Sequence, residues 1–357
     1  MRNFIKESNA GLVASSGKLW HENRRFTVKV LREFGIAKAP QLNAMILQEV
    51  LKICEIIERN KDEPQDLLHP INVAIINMIW KLTAGKQFEY DDSELKDIQD
   101  RLIVLTEDAH TLGPFQIYPS LLQFWSPVRR AYERLVKGIN RGQGFEKLVG
   151  YMPFLTIAKE VEKHKLSLEG KAPSDYIDAY LQQMNELEER GESSPNFTEF
   201  QLWANVSDLF FAGSETTTHS MTWCILFLLR HPDKQEILQS EVDQVVGKDR
   251  LPSLDDRHQP GGVQSKERFL DEDGKVKTNV SNFLPFGLGR RQCLGESLAK
   301  MELFLFMAIF MQKFTFCVPE GHPIPPREAN ESLIVHSPKP YKVLLKERLH
   351  DSRVLHA

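Results

Sequence analysis

The stretch from Phe286 to Gly295, which reads FGLGRRQCLG, decides how the rest of the chain is interpreted. Two glycines precede Cys293 and one follows it, and the apolar period of Glu296 to Met311 predicts a helix directly afterwards. The thiol is therefore expected on a tight loop at a helix N-terminus, where unsatisfied N–H groups and the helix dipole favour a thiolate. The two arginines add positive potential, and the phenylalanine could shield the sulfur from water. Such a thiolate suits an iron ligand or a nucleophile, but a nucleophile needs a base and the segment contains no histidine.

Composition excludes several classes of protein. The 357 residues include 41% hydrophobic residues, enough to bury a large core, so wholesale disorder is excluded. The 45 basic and 49 acidic residues give a net charge of −4, without the basic excess of a nucleic-acid-binding protein. Four cysteines with no CxxC pair favour neither a disulfide framework nor a zinc site.

Hydrophobic periodicity predicts a fold that is mainly α with a minor β part, and residues 1–357 are expected to form a single domain. Helices are predicted over 41–59, 71–82, 93–105, 127–139, 156–164 and 174–187. Strand-like segments are few and late, at 313–318 and 341–345, with proline-rich turns between them.

The longest predicted helix runs from Thr198, a plausible N-cap, to Arg230, where His231-Pro232 ends it. Its middle contains Gly213 and a run of three threonines, all poor helix formers. Such a local violation often marks a functional site. The alternative interpretation is a close helix crossing at Gly213.

Three motifs now resemble those of one family, the cytochrome P-450 monooxygenases. The cysteine stretch fits FxxGxRxCxG, the family's haem-binding loop, with its fixed positions at Phe286, Gly289, Arg291, Cys293 and Gly295. Residues 212–217, AGSETT, resemble the oxygen-activation stretch of its long central helix, and Trp20-x-x-x-Arg24-Arg25 resembles its haem-propionate motif. The order is the family's order and the resemblance covers nearly the whole chain, so a cytochrome P-450 fold, incomplete, is implied. Residues 175–181 and 231–247 are similar to the animal microsomal branch.

The resemblance implies haem b as the cofactor, with Cys293 as axial thiolate to its iron. Gly289 and Gly295 would allow the loop to approach the porphyrin closely. The propionates would be hydrogen-bonded by three residues: Arg291, Trp20 and Arg24. For the last two, which share a helix face, the alternative is a surface cation–π pair.

In the central helix, the resemblance implies that Gly213 opens a groove for dioxygen. Thr216 would turn its hydroxyl to the carbonyl of Ala212, and Glu215 and Thr216 would relay protons through water. Two further sets of residues are expected to have no role in the reaction. Thr217, Thr218 and His219 are expected to be polar residues of a helix face, and Cys54, Cys224 and Cys317 to be core thiols.

The chain departs from the family pattern in two places. Only 19 residues precede Trp20, where the family has a membrane anchor, its first helices and part of its sheet. The family's Glu-x-x-Arg helix is missing as well, and residues 260–266 bridge that gap, which leaves Arg268 without the partners of its triad. No signal peptide and no apolar run long enough to span a bilayer are present. We therefore expect a truncated or alternatively spliced product, or an incomplete gene model.

Two functions follow from the resemblance. The first is a haem-dependent monooxygenase that inserts one oxygen atom from dioxygen into an apolar lipid or xenobiotic. The alternative is a catalytically inactive form with weak or no haem binding. The implied electron donor is NADPH-cytochrome reductase, with cytochrome b5 as a candidate further partner, and the basic face of Arg25, Lys29 and Arg32 is either its docking site or a solvated helix face. The family's location is the endoplasmic reticulum membrane; without an anchor this chain is expected in the cytoplasm.

Overall fold

The computed structural model describes residues 10–36, 39–93, 95–96, 99, 153–168, 171–192, 194–258, 283–330 and 335–348. The helix predicted over 127–139, most of the one predicted over 93–105, the bridging segment 260–266 and Arg268 lie outside these residues.

Helices dominate the described chain, which confirms a mainly α fold with a minor β part. They are α1 (Gly17–Leu31), α2 (Ala39–Arg59), α3 (Leu68–Ala84), α4 (Pro153–Ser167), α5 (Tyr176–Glu189), α6 (Glu199–Arg230), α7 (Pro232–Val245) and α8 (Glu296–Lys313). Two strands follow α8, β1 (Phe314–Cys317) and β2 (Leu344–Glu347). Among the described helices, none is both long enough and apolar enough to cross a membrane.

The chain forms two compact units. Unit 1 comprises Met1–Ala37, Ile76–Thr216 and Ala329–Ser337, and unit 2 comprises Lys38–Ile75, Thr217–Glu328 and Pro338–Ala357. The helices α3 and α6 therefore contribute residues to both units.

Buried aromatic and amide groups join α1, α5 and the first half of α6 in unit 1. Tyr176 and Tyr180 of α5 are buried, and the ring of Phe26 lies edge-on to Tyr180 with 5.3 Å between centroids. The Tyr180 hydroxyl donates to Asn23 Oδ1 at 2.9 Å, and Asn205 of α6 donates to the same oxygen at 2.7 Å. Because the hydrogen bonds from α5 and α6 converge on one side chain of α1, Asn23, they hold α1 in one register against its neighbours.

In unit 2, α7 and α8 pack on each other, and two glutamines of α7 bind the strand that follows α8. The Gln235 amide donates to the Phe316 carbonyl at 3.0 Å, and its oxygen accepts from the Phe316 amide at 2.7 Å. Gln239 donates to the carbonyl of Phe314, also at 3.0 Å. These bonds place β1, and therefore the end of α8, against α7.

The two-stranded antiparallel sheet pairs Phe314 with Glu347 and Cys317 with Leu344. The first strand agrees with the prediction, but the second begins three residues later than predicted. The reason lies in the side chains and backbone before it: the Tyr341 hydroxyl donates to the carbonyl of Thr222, and Val343 forms an isolated bridge with Gln65.

The long helix agrees with its predicted bounds. Thr198 accepts a hydrogen bond from the amide of Gln201 at 3.2 Å, as an N-cap threonine does three residues before its donor. The helix continues without interruption through Gly213 and the threonines to Arg230, and Pro232 begins α7.

Candidate functional site

The loop before α8 is folded so that Cys293 returns to Phe286. The Cys293 amide donates to the Phe286 carbonyl at 2.9 Å, and the Gly287 amide donates to the Leu284 carbonyl at 3.1 Å. Gly287 and Gly289 have φ angles of 74° and 76°, in the left-handed region that residues with a Cβ rarely adopt. A side chain at either position would therefore strain the loop, although nothing lies within 4 Å of the Cβ position.

Cys293 lies at the N-terminal end of α8, as the sequence predicted, and its side chain is exposed. Gly295 is the N-cap residue, and a Cβ there would lie 3.9 Å from the Cys293 sulfur. In the first turn, Glu296 accepts from Gln292 at 2.8 Å and pairs with Lys300 at 2.5 Å. These partners lower the pKa of Glu296, so the turn carries its charges in an ordered pair.

Apolar side chains are unusually exposed around this thiol. Leu288 is 68% exposed, Phe283 58% and Leu284 48%. Three of the seven large apolar residues that are exposed in the described chain thus lie within six positions of one another, and such a patch marks a ligand or partner site. Phe286 is half-buried, with the Lys300 ammonium 5.3 Å from its ring centroid. Arg290 and Arg291 are both exposed beside the thiol.

The other three cysteines differ from Cys293 in their surroundings. Cys54 is buried, and burial raises its pKa to about 12, so it remains a thiol at neutral pH. Cys317 is half-buried on β1, and Cys224 is exposed on α6. The prediction of core thiols is therefore right for Cys54 only. It is wrong for Cys224 because that residue lies on the side of α6 that carries the exposed Phe227, opposite the buried Leu226.

The middle of α6 carries the hydrogen bond that the sequence predicted. The Thr216 hydroxyl donates to the Ala212 carbonyl at 2.7 Å, and both residues are exposed on the same face of the helix. Gly213 faces elsewhere: a Cβ on it would lie 2.7 Å from Cδ1 of Ile79 in α3. This contact supports the close helix crossing, and the dioxygen groove stays a prediction. Glu215 is half-buried.

The two threonines after Thr216 are buried, so the prediction that they are polar residues of a helix face is wrong. Thr217 is 4% exposed and donates to the carboxyl of Glu302 in α8, and Thr218 is 0% exposed and accepts from Asn72 at 3.1 Å. Glu302 was not among the residues that the sequence motifs predicted. Its signal was a lone acidic residue directly before a run of apolar residues.

Trp20 and Arg24 lie together on α1, as their spacing predicted. Trp20 is 7% exposed, and the guanidinium carbon of Arg24 lies 5.5 Å from the ring centroid. The pair is therefore a cation–π contact over a buried ring rather than one between two surface side chains. Their role toward haem propionates stays a prediction.

Next to this pair, Arg25, Lys29 and Arg32 are all exposed, which confirms the basic face. Lys29 lies 4.0 Å from Glu33, so its charge is partly compensated. The predicted site residues are thus divided between the two units. Unit 1 holds Trp20, Arg24, Gly213, Glu215 and Thr216, and unit 2 holds Phe286, Gly289, Arg291, Cys293 and Gly295.

Comparison with known proteins identifies the class. The family model for cytochrome P450 matches residues 2–259 and 265–345, so the chain belongs to the cytochrome P450 family. Its relatives include cytochrome P450 2L1 of Panulirus argus, 29% identical, with 97% of this chain and 80% of the relative aligned. Cytochrome P450 2J2 of Homo sapiens is 30% identical over 90% of this chain and 72% of its own length. Cytochrome P450 18a1 of Drosophila melanogaster is 28% identical, with 97% and 74% aligned. These relatives place the chain on the branch of the family that contains its family-2 members.

Cytochrome P450 proteins are haem-dependent monooxygenases that bind the iron through a cysteine thiolate. The residues around Cys293 fit this cofactor. The thiol is exposed, two neighbouring glycines have no side chain to obstruct a flat macrocycle, and the exposed leucines and phenylalanine offer it apolar contacts.

Proposed function

We propose that this chain is a haem-thiolate monooxygenase that inserts one oxygen atom from dioxygen into an apolar organic substrate, and that Cys293 would supply the thiolate to the haem iron. The observation that carries the proposal is the loop itself. It presents an exposed thiol at a helix N-terminus, after two left-handed glycines and in a segment with exposed apolar side chains. Cys224 is exposed as well, but it lies within a continuous helix and has no such loop.

The haem, when bound, supplies dioxygen activation, which a thiolate ligand promotes by pushing electron density toward the iron. The loop residues would hold the group. Cys293 would bind the iron, Phe286 would limit water access to the sulfur, and Arg291 would offer two donors to a propionate. On α1, Arg24 and the indole of Trp20 are the candidates for further propionate contacts.

On α6, the residues proposed to move protons are Thr216 and Glu215. The Thr216 hydroxyl can hold a proton at Oγ1 while its present bond to the Ala212 carbonyl keeps it on the exposed face. That bond also takes the carbonyl away from full helical pairing and loosens the helix locally. Glu215, which is half-buried and directly precedes Thr216, would supply protons to the hydroxyl through water.

The substrate class and partners rest on the branch of the family. Members resembling this chain oxidise lipids and xenobiotics with electrons from NADPH-cytochrome reductase, and the exposed basic face of α1 is the proposed docking surface. An endoplasmic reticulum location comes with the same resemblance.

A second candidate function is a form that binds haem weakly and turns over little or no substrate. Two observations favour it. The family match is interrupted at residues 260–264, where the sequence lacks the Glu-x-x-Arg helix. The alignment with cytochrome P450 2L1 is 412 positions long, although the chain has 357 residues, so at least 55 positions lie opposite gaps in this chain. Loss of groups that support a metal ligand typically reduces affinity about 10- to 100-fold.

The absorbance spectrum of the reduced protein with carbon monoxide separates these candidates. A red-shifted thiolate band in the wild-type chain, lost in Cys293→Ser and kept in the matched exposed control Cys224→Ser, would support the first. Reductase-driven oxygen insertion then tests turnover. Folded protein without the band supports the second candidate, and a band that survives in Cys293→Ser would refute the ligand assignment.

A further inference from the structure

A carboxyl group is buried in the middle of α8, six residues into the helix and about 9 Å along it from the first residue. Glu302 is 1% exposed, and the same face of α8 carries Leu305, Phe306 and Ile309, each 0% exposed. An ionised carboxylate in such apolar surroundings would be costly. Burial accordingly raises the pKa of Glu302 well above its usual range, and one hydrogen bond from Thr217 opposes this only in part.

The polar group that faces this carboxyl belongs to α6. Thr217, 4% exposed, donates its hydroxyl hydrogen to Glu302, while the Oε1 atom of the same carboxyl has no hydrogen-bond partner among the described residues. The helices α2 and α7 also pack on α8, but no charged side chain in the described part of the chain shifts the pKa of Glu302. Burial therefore favours the protonated form of the carboxyl, whose one hydrogen-bond partner among the described residues is Thr217.

We propose that Glu302 is a positioning residue, which through its buried contact with Thr217 fixes α8, and with it the loop of Cys293, to the buried face of α6. A methylene group could slide along an apolar helix face, but a buried hydrogen bond has one geometry and sets one register. The residue that donates this bond, Thr217, directly follows Thr216, the proposed proton-carrying residue. The importance of the Glu302–Thr217 hydrogen bond for oxygen insertion rests on the proposed function, whereas the existence of the bond does not.

Linkage between protonation and folding gives the first test. In the unfolded chain Glu302 ionises near its ordinary pKa of 4.5, whereas in the folded chain it keeps its proton to a higher pH. Between these two values the folded state holds one more proton, so the unfolding equilibrium constant rises with pH, about tenfold per unit. Glu302→Gln has the same shape and no proton to lose.

The experiment compares urea unfolding of the wild-type chain and Glu302→Gln from pH 5 to pH 9. We expect the ratio of their unfolding constants to rise about tenfold per pH unit until the folded pKa is reached, and then to level off. A ratio independent of pH would show that the carboxyl is ionised in the folded protein and would overturn the proposal.

Hydrogen exchange provides the second test, which reports on positioning rather than on protonation. At pH 7, Thr217→Val and Glu302→Leu should each accelerate amide exchange over residues 214–221 about two- to tenfold, as the loss of one hydrogen bond predicts. Glu302→Gln should match the wild type, and the double variant Thr217→Val/Glu302→Leu should exceed neither single variant by much, because both remove one bond.

Thr217→Val is nearly isosteric with the wild type. Unchanged amide exchange in this variant, or fully additive effects in the double variant, would refute the proposal that the Glu302–Thr217 bond positions α8 on α6. Neither test requires haem. Absence of the thiolate band in the carbon monoxide experiment would therefore count against the proposed function and leave the inference about Glu302 unaffected. A negative result in the unfolding or exchange experiments would count against Glu302 alone.

Discussion

The close approach of α6 to α3 at Gly213 predicts the outcome of adding a single methyl group. In a Gly213→Ala variant the new Cβ would lie 2.7 Å from Cδ1 and 2.9 Å from Cγ1 of Ile79, closer than such contacts occur in folded proteins. Overpacking of this kind costs about 1–3 kcal/mol. Alanine is a better helix former than glycine by about 1 kcal/mol, which offsets part of that cost. We expect a net destabilisation of about 1 kcal/mol, measured by urea unfolding followed by circular dichroism.

A second substitution on α3 checks the origin of this cost. Ile79→Val removes the methyl group nearest to the new Cβ and alone should cost about 0.5–1.5 kcal/mol. Combined with Gly213→Ala it should cost less than the two single effects together, by about 0.5 kcal/mol or more. A Gly213→Ala variant that is more stable than the wild type, with effects that add, would refute the crossing. In that case Gly213 would face open space, as the dioxygen groove requires.

Two further predictions concern charged groups of unit 1. Charge reversal at Arg25 and Lys29 should slow reductase-driven haem reduction and weaken its salt dependence, because complementary charge acts mainly on the association rate; an unchanged rate would argue for a merely solvated face. Burial by itself would lower the pKa of His164, but its hydrogen bonds to Asp175 and the Glu160 carbonyl outweigh burial and raise the pKa. The contribution of His164 to stability should therefore be present below its ordinary pKa of 6.5 and be lost as pH rises through the raised value. In His164→Gln this fall in the free energy of unfolding should be absent, and an identical pH profile in both proteins would contradict the assignment.

Local sequence signals predicted the elements that carry the site. The cap at Thr198, the irregular middle of α6 and the glycines before Cys293 each depend on backbone preferences within a few residues, so they could be identified without knowledge of any partner. The bond from Thr216 to Ala212 is of the same kind, because both atoms lie on one helix turn.

The sequence could not show which neighbour each face of a helix packs against. Thr217 and Glu302 are 85 positions apart, and no local pattern indicates that they meet. Cys224 and Cys54 both lie among apolar residues, yet one is exposed and the other buried, since burial depends on which face of a helix its neighbours cover. The start of β2 was misplaced for a related reason: a strand's limits are set by the strand that it pairs with.

The hydrogen bonds from the glutamines of α7 to β1 affect the tendency of the two-stranded sheet to aggregate. A strand at the edge of a sheet offers unpaired amides and carbonyls to any other extended chain. On β1, the amide and carbonyl of Phe316 are both taken by one side chain, Gln235, which donates and accepts as the next strand of a sheet would. Gln239 occupies the carbonyl of Phe314 in the same way. The side chains of a helix thus take the place of a third strand, and β1 is closed to strand addition along this edge while its other edge pairs with β2.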